Sequence, residues 1–433
     1  MSNKIKALLK ASSRWLILYV GIILVFWLLL SIVYAIPESW IEANRTDGIN
    51  RLWDAGNLPE VDVKGGIIID NHTDRLMLEF ANSKGANPFV KSMVEDYARY
   101  WHGYQIFTRP ALVFGGLSQM RFWSTVIHLS MLTVLLILIY KRLGTWVSFA
   151  FGFSLAAVDY WIVPVCFQFS HVFLITFAAC IVLLLCYNKP WFRRSLPMFF
   201  FIVGAVTVYI DFLTAPFISV GIPLVILQLL RNSENKKKLT SPLLKKDILP
   251  DFLTLLKNGF AWCVGYVSIW AGKWLLASIV FGRNEFAISF QQILLRTGQS
   301  NFGYDSGNES ELSFGTWKTS NDTPIDMVVA CIRNMFSLTE WLLIILLLLA
   351  IVVVTLRKKN RARSIFFNLL PFAALALGAP AWLLLLSNHT LIHSFMVYRN
   401  LLVSVFAVLC AVNIPLNLAI DDFKHKRKAV NSD

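Results

Sequence analysis

Charged residues are scarce in this chain of 433 residues, making up 15% of the sequence against 56% for hydrophobic residues. Soluble domains carry roughly 25% charged residues, and the mean hydropathy here is +0.59. The shortage of charge excludes a soluble globular protein. The sequence therefore predicts an all-α polytopic membrane protein, because a helix satisfies its backbone polar groups internally within a bilayer.

Cysteine is also sparse, and its spacing excludes two kinds of site. The six cysteines stand singly in or beside apolar segments, with no CxxC pair and no cysteine–histidine ligand spacing. We expect neither a disulfide framework nor a zinc centre. No metal site or cofactor is assigned, although the assistance of a divalent metal remains open.

The signatures of soluble catalysts are missing as well. There is no P-loop, no GxGxxG after a strand, no HExxH and no GxSxG in context. The predicted cytoplasmic loops are too short for a nucleotide-binding domain. Any chemistry must therefore draw on a substrate that is already in the membrane.

The net charge of +14 is carried by lysines and arginines in short loops between apolar runs. This placement is typical of topology determinants and of contact with anionic lipid. It excludes a nucleic-acid-binding face and makes membrane lipids the expected surroundings.

The apolar runs predict about ten transmembrane helices. The first run, residues 15–35, is longer than the ~7–15 apolar residues of a signal peptide and is interpreted as a span. With both termini cytoplasmic, every basic cluster falls on the inner side, as the positive-inside rule requires. The other predicted spans are residues 122–140, 144–164, 170–187, 195–212, 214–230, 259–281, 338–356, 365–386 and 400–420.

These spans divide the chain into six parts. Two are large extracytoplasmic loops, and the last group of spans encloses a short outer loop at 387–399. The parts are the N-terminus with the first span (1–35), the first outer loop (36–120), spans two to seven with the basic cytoplasmic loop 231–258 (121–281), the second outer loop (282–337), spans eight to ten (338–420) and a basic cytoplasmic tail (421–433).

Two aspartates in the first outer loop, Asp70 and Asp74, are four residues apart and can converge on one site. A carboxylate beside a substrate hydroxyl acts as a general base or orients the nucleophile. The alternative is a cap or turn, since Asp-Asn-x-Thr is good turn chemistry. In the same loop, His102 and Arg109 are candidate supporting residues, and the aromatic run around His102 suits a carbohydrate or the membrane interface.

The late outer loop carries a second polar group. His389 and His393 are four apart, so one helical turn places both on one side, and Tyr398 and Arg399 follow at the mouth of the last span. Cationic and hydrogen-bonding groups there suit a lipid-linked phosphate, and an unperturbed histidine, with a pKa of about 6.5, can charge beside it. The alternative is interfacial snorkelling.

Asp211 and Lys273 lie near the outer ends of two predicted spans. An ionisable group at bilayer depth is costly and requires a partner, so the sequence predicts an Asp211–Lys273 pair. Such a pair is either purely structural or has Lys273 facing a phosphate and Asp211 orienting it.

The overall layout resembles the GT-C superfamily of polytopic glycosyltransferases. The chain shares with it a long outer loop containing acidic residues directly after the first span, a multi-span bundle and late outer basic residues. Two stretches, Asn388-His389-Thr390-x-x-His393 with Tyr398-Arg399 and Tyr209-x-Asp211-Phe212-Leu213-Thr214-x-Pro216, are similar to stretches in uncharacterised bacterial membrane proteins of cell-surface polysaccharide loci.

The resemblance implies a bacterial cell-membrane enzyme that moves a sugar from a polyprenyl-phosphate donor to a glycan or polysaccharide acceptor outside the membrane. It places the catalytic acid in the first outer loop, at Asp70 or Asp74. The leaving phosphate would be stabilised by His389, His393, Tyr398, Arg399 and Lys273. The alternatives are a lipid-linked polysaccharide polymerase or ligase, a flippase or transporter of lipid-linked glycan, and a non-catalytic scaffold.

Overall fold

The computed structural model describes residues 3–61, 67–234, 245–298, 323–335 and 359–412. Within these ranges every element is helical apart from one isolated bridge between Glu60 and Ile68, which confirms the all-α prediction. The α-helices are α1 (Asn3–Tyr34), α2 (Glu38–Asp54), α3 (Asn71–Glu79), α4 (Pro88–Lys91), α5 (Gln105–Phe114), α6 (Leu117–Leu143), α7 (Thr145–Ala156), α8 (Phe167–Cys186), α9 (Pro190–Arg194), α10 (Leu196–Ile210), α11 (Ile218–Glu234), α12 (Lys245–Phe281), α13 (Glu285–Arg296), α14 (Pro324–Met335), α15 (Lys359–Leu385), α16 (Ser387–Ile392) and α17 (Ser394–Val397). Short 3₁₀ turns cover Glu95–Tyr97, Tyr160–Val165 and Tyr398–Leu401, and residues 402–412 are helical.

Six helices in the described part of the chain are long and apolar enough to cross a membrane, which indicates a multi-pass membrane protein. They are Trp15–Tyr34, Leu117–Leu143, Phe167–Cys186, Leu249–Phe281, Asn368–Leu385 and Ser394–Val412.

The remaining four predicted spans have different outcomes. Two coincide with shorter apolar helices, α7 and α10, and a third with α11, which has 17 residues. The fourth, residues 338–356, lies outside the described residues. The total of ten spans therefore stays a prediction.

The spans differ in how much of their surface the protein covers. Only 17% of the first span is buried, whereas the last span, Ser394–Val412, is 72% buried and α8 is 56% buried. A helix that is apolar all round lies in lipid or in the core of the bundle. The last span and α8 therefore form the centre, and polar residues at their ends are enclosed by protein.

Two glycines allow α10 and α12 to pack backbone against backbone. A Cβ atom on Gly204 would overlap the carbonyl oxygen of Trp262, and one on Gly265 would overlap that of Phe201. Small residues at such contacts are typical of helix packing within membranes, where close approach supplies the van der Waals energy. This contact fixes the end of α10, after which the chain leaves the helix at Asp211.

The first loop, predicted as residues 36–120, folds onto one end of the bundle. The Trp101 indole donates to the carbonyl oxygen of Ile269 at 2.9 Å, and the Gly103 amide donates to the carbonyl oxygen of Tyr209 at 2.8 Å. A Cβ atom on Gly103 would overlap that same oxygen, so only glycine permits this contact. The loop is thereby tied to both α10 and α12.

Candidate functional site

Three polar segments meet beside the N-terminus of α8. They are residues 70–75 at the start of α3, the joint 211–214 between α10 and α11, and residues 389–399 in the last loop. We call the region that these segments form the polar site.

Gln168, in the first turn of α8, contacts all three segments. Its backbone amide donates to Asp74 Oδ1 at 2.8 Å, and its side-chain nitrogen lies 3.4 Å from the sulfur of Met396. Its carbonyl oxygen accepts from Thr214 Oγ1 at 3.0 Å. Gln168 thus links the first and last loops physically, as expected if the two loops share a site. The sequence analysis missed Gln168, because nothing distinguishes it within an apolar helix.

Asp70 is the N-cap of α3. Its Oδ1 accepts from the Thr73 amide at 2.8 Å and its Oδ2 accepts from the Thr73 hydroxyl at 2.7 Å. Burial raises the pKa of Asp70, and the Thr73 hydrogen bonds oppose that rise. The carboxylate plays the capping role that was the alternative to catalysis, because both of its oxygens are engaged.

Asp74 caps a second helix, the membrane-spanning α8. Its carboxylate accepts from the amides of Phe167 at 3.1 Å and Gln168 at 2.8 Å, and it lies 3.8 Å from the Arg121 guanidinium. Burial raises the pKa of Asp74 to about 7, against the opposing effects of Arg121 and the two amides. A carboxylate at a helix N-terminus meets unpaired N–H groups and the positive end of the dipole, so this contact joins α3 to the bundle.

Arg399 is fully buried and incompletely paired. Its Nη1 donates to the carbonyl oxygen of Phe395 at 3.0 Å, and its guanidinium lies 4.0 Å from the Phe169 ring and 4.7 Å from the Tyr398 ring. Its Nε and Nη2 atoms are buried without a hydrogen-bond partner. An unpaired donor on a buried charge costs about 1–3 kcal/mol or more, and an anion would satisfy both groups.

Tyr398, the neighbouring candidate for phosphate binding, is engaged elsewhere. Its hydroxyl donates to Asp159 Oδ2 at 2.6 Å. Tyr398 therefore supplies an aromatic face beside Arg399, while its only hydroxyl proton goes to a carboxylate.

His389 bridges two segments of the chain. Its Nδ1 lies 2.6 Å from Arg296 Nη1, and its Nε2 lies 3.0 Å from the carbonyl oxygen of Leu213. Because an arginine only donates and a carbonyl only accepts, His389 carries its proton on Nε2 and is neutral. Burial, followed by the charge of Arg296, holds the pKa of His389 well below its usual value. In this arrangement His389 therefore acts as a neutral link between Arg296 and Leu213.

His393 brings the first and last loops into electrostatic contact. Its ring centroid lies 4.7 Å from that of His389. Burial lowers the pKa of His393 to about 3, with further lowering by Arg296 and by His72 of the first loop. His393 is therefore also neutral near pH 7, and Arg296, which was missed as a site residue, carries the positive charge. Its position at the end of the amphipathic α13, directly before a polar stretch of sequence, was the available signal.

Asp211 and Lys273 do not pair, so that prediction was wrong. Lys273 is fully buried, donates to the carbonyl oxygen of Met93 at 2.8 Å and lies 5.7 Å from the Trp101 ring. It fastens the first loop to α12 through this hydrogen bond. Asp211 Oδ2 instead accepts from the Thr214 amide at 3.0 Å, and its Oδ1 is buried without a partner.

His102 and Arg109, the predicted supporting residues, serve the fold of the first loop. His102 lies 3.0 Å from the Tyr104 hydroxyl and 2.9 Å from the carbonyl oxygen of Tyr97. Burial lowers the pKa of His102 to about 3, so the ring is neutral. Arg109 donates to three carbonyl groups at the end of α1 and after α3.

Aromatic rings of the first loop enclose Phe212, the residue after Asp211. The ring centroids lie 5.0–6.2 Å from that of Phe212. They belong to Tyr97, Tyr100, His102 and Tyr104. We call this group the aromatic cluster, and it adjoins the polar site at Phe212, one residue before Leu213, whose carbonyl oxygen contacts His389.

Over the described ranges, no three His, Cys, Asp or Glu side chains are grouped so as to hold a metal ion. A scan against protein-family models and searches of curated proteins and of solved structures found no match to this chain.

Proposed function

We propose that this protein is a membrane glycosyltransferase that moves a sugar from a polyprenyl-phosphate donor to a glycan acceptor on the extracytoplasmic side. The observation that carries the proposal is the guanidinium of Arg399, which is fully buried at the polar site with Nε and Nη2 unpaired. A buried, uncompensated cation is strongly unfavourable unless a ligand supplies the counter-charge.

A phosphate group fits the two positive charges of the site. Arginine presents its N–H groups in a planar fork that matches phosphate oxygens. Arg399 offers two such groups, and Arg296, which is half-buried, is held by His389 through one nitrogen. Fixed donors of this kind stabilise the charge that develops on a leaving phosphate.

The two sides of the site suit the two parts of a lipid-linked sugar. The phosphate would lie on the side of Arg296 and Arg399, and a sugar ring would pack on the aromatic cluster, whose members Tyr97 and Phe212 are half-buried. Aromatic rings offer apolar faces with polar edges, as a sugar ring does. The six helices that are long and apolar enough to cross a membrane would hold the protein in the bilayer, where the lipid of the donor also resides.

The experiment is a transfer and binding assay on the purified, detergent-solubilised protein with a panel of polyprenyl-phosphate sugars. We expect wild type to bind and turn over a donor, and Arg399→Lys and Arg399→Ala to bind it at least tenfold more weakly, which corresponds to about 1.4 kcal/mol. Asp251→Asn is the control, since Asp251 pairs with Arg231 away from the polar site.

Two outcomes contradict the proposal. One is that no donor in the panel binds to wild type, and the other is that both Arg399 variants bind the donor as wild type does. Polyprenyl-diphosphate-linked glycans form a second arm of the panel. Turnover of those donors alone would favour the polymerase or ligase alternative, and binding without turnover would favour a transporter.

A further inference from the structure

Three aspartates are buried in and around the polar site, and they differ in what their oxygens do. Asp70 and Asp74 each have both oxygens engaged at a helix N-terminus. Asp211 is equally buried, at 3% exposed, but one of its oxygens has no hydrogen-bond partner. Buried polar atoms without a partner are rare in folded proteins and each calls for an explanation.

The joint that carries Asp211 is fixed on both sides. His389 donates to the carbonyl oxygen of Leu213, and the Thr214 hydroxyl donates to the carbonyl oxygen of Gln168. Asp211 itself lies beyond the last residue of α10, in extended conformation. The joint is thus held by contacts to two other parts of the chain, and the Thr214 amide holds the Asp211 carboxylate within the joint, which is the preorganisation that a catalytic group needs.

Backbone strain marks the same joint. Leu213 has a φ of +66°, in the left-handed region that costs a residue with a side chain about 1–2 kcal/mol. Such strain persists only where the surroundings enforce it, and it clusters at active sites. Here the Leu213 carbonyl is the acceptor for His389, so the strained residue links Asp211 to the group that holds Arg296.

Asp211 lies between the two sides of the proposed substrate site. Phe212, the next residue, is half-buried within the aromatic cluster, so the joint reaches the surface one residue from the carboxylate. Tyr266 of α12 is within electrostatic reach of Asp211, of Arg296 and of Tyr100 in the aromatic cluster. The carboxylate is therefore placed where a sugar and a phosphate would adjoin.

We propose that Asp211, and neither Asp70 nor Asp74, is the catalytic carboxylate that takes the proton from the acceptor hydroxyl. This inference rests on the proposed transferase function. Oδ1 of Asp211 removes the hydroxyl proton while the acceptor oxygen forms a bond to the anomeric carbon of the donor sugar. The bond from that carbon to the phosphate oxygen breaks, its electron pair stays on the phosphate, and the proton later passes from Asp211 to water.

The titration of Asp211 agrees with this role. Burial raises the pKa of Asp211 from 3.8 to about 7, and that rise is opposed first by the hydrogen bonds from Thr214 and then by the backbone amides of Leu213 and Phe212. A general base works best when its pKa lies near the working pH. The other titratable or charged groups around the joint are Tyr266, Arg296, His389 and the four titratable members of the aromatic cluster, and burial holds both His389 and His102 neutral.

The experiment compares Asp211→Asn, Asp211→Glu and Asp70→Asn with wild type in single-turnover transfer and in donor binding. We expect Asp211→Asn to keep donor affinity within about threefold and to lose 10²–10⁴-fold in rate, the usual contribution of a general base. Asp211→Glu should recover part of the rate. Asn caps a helix as well as Asp does, so Asp70→Asn should transfer at close to the wild-type rate.

The pH profile of wild-type kcat/KM supplies a measurement that does not depend on the folding of any variant. We expect it to rise with pH through an apparent pKa near 7. Transfer by Asp211→Asn within a few-fold of wild type, or a flat profile between pH 5.5 and 8, would overturn the assignment of Asp211 and leave the transferase function standing. If wild type transfers sugar from no donor, the transferase function itself fails and this inference with it.

Discussion

Two buried arginines, Arg109 and Arg399, are used in opposite ways. Arg109 is 1% exposed and donates to the carbonyl oxygens of Val33, Ile36 and Ala81, with the Tyr34 ring 4.7 Å away. Arg399 is 0% exposed, donates through one nitrogen only, and leaves two nitrogens unpaired. The same side chain at the same burial is thus complete in one place and incomplete in the other.

The comparison separates structural from functional groups better than burial alone. Arg109 replaces the hydrogen bonds that the carbonyls at the end of α1 cannot make within a helix. Lys273 likewise donates a hydrogen bond to the carbonyl oxygen of Met93. Asp74 accepts hydrogen bonds from the amides at the start of α8. At Arg399 and Asp211 a buried charged group at the polar site retains a free donor or acceptor, which leaves an atom for a substrate to contact.

The largest expected effect is on folding, from Arg109→Ala. Removal of the guanidinium takes a hydrogen bond from each of three carbonyl groups, of which only that of Val33 also accepts from the Ile36 amide, and a buried carbonyl left unpaired costs about 1–3 kcal/mol. We expect the variant to misfold or to lose a large part of its thermal stability, measured as Tm of the detergent-purified protein. A variant with the wild-type Tm would show that the three hydrogen bonds of Arg109 are dispensable. Arg109 would then not differ from Arg399 as a structural group.

Arg399→Met should have the opposite result for stability. Methionine fills similar space without a buried charge, and such replacements are often neutral or stabilising. We expect the Tm of the free protein to equal or exceed that of wild type. A polyprenyl phosphate should raise the wild-type Tm, as any ligand of the folded state does, and leave that of Arg399→Met unchanged. A large loss of Tm in the ligand-free variant would make Arg399 a structural group like Arg109.

A moderate effect is expected from Asp211→Asn on the pH dependence of stability. The folded pKa of about 7 exceeds the ordinary 3.8, so between these values the folded protein holds a proton that the unfolded chain has released. The contribution of protonated Asp211 to the free energy of unfolding is complete below about pH 4 and is lost as the pH rises through 7. We expect the Asn variant to exceed wild type by about 2 °C or more in Tm at pH 8, with the gap closing towards pH 5. A gap of the same size at both pH values would contradict the raised pKa.

The smallest effect is expected from His389→Gln. A glutamine offers one acceptor to Arg296 and one donor to Leu213, as the neutral histidine does. We expect donor affinity within about threefold of wild type for Gln and about tenfold weaker for His389→Ala, where Arg296 loses its partner. The affinity of wild type for a phosphodiester donor should not change between pH 6 and 8. Because Asp211 also titrates near pH 7, the same measurement is made on Asp211→Asn, and a decline in affinity that persists in that variant and is absent from His389→Gln would show that His389 is charged in the bound state.

Parts of the site were predictable from local sequence. The Asp-Asn-x-Thr stretch at Asp70 favours an N-cap, and the structure has one. The four-residue spacing of His389 and His393 predicted neighbouring rings, which lie 4.7 Å apart. Each of these follows from the geometry of one helical turn. The sequence also suggested that the first and last loops meet, because both were placed on the same side of the membrane.

The partners of the buried polar groups were not predictable in this way. Lys273 was paired with Asp211 on the basis of depth along two helices, but the structure gives Lys273 to Met93, 180 positions away in sequence. The Arg296–His389 contact spans 93 positions. Each depends on how distant segments pack together, which no local pattern records.

The sequence by itself determined that the chain is helical and lies in a membrane. The reason is that the free energy of transferring side chains from water to lipid is a sum over single residues and does not depend on a partner elsewhere in the chain. Only the tertiary structure decided which buried polar atoms are satisfied and which are left free, because a hydrogen bond requires two particular atoms to meet within about 3 Å. Arg109 and Arg399 are both ordinary arginines in the sequence, and their different roles arise from the atoms that the fold places around them.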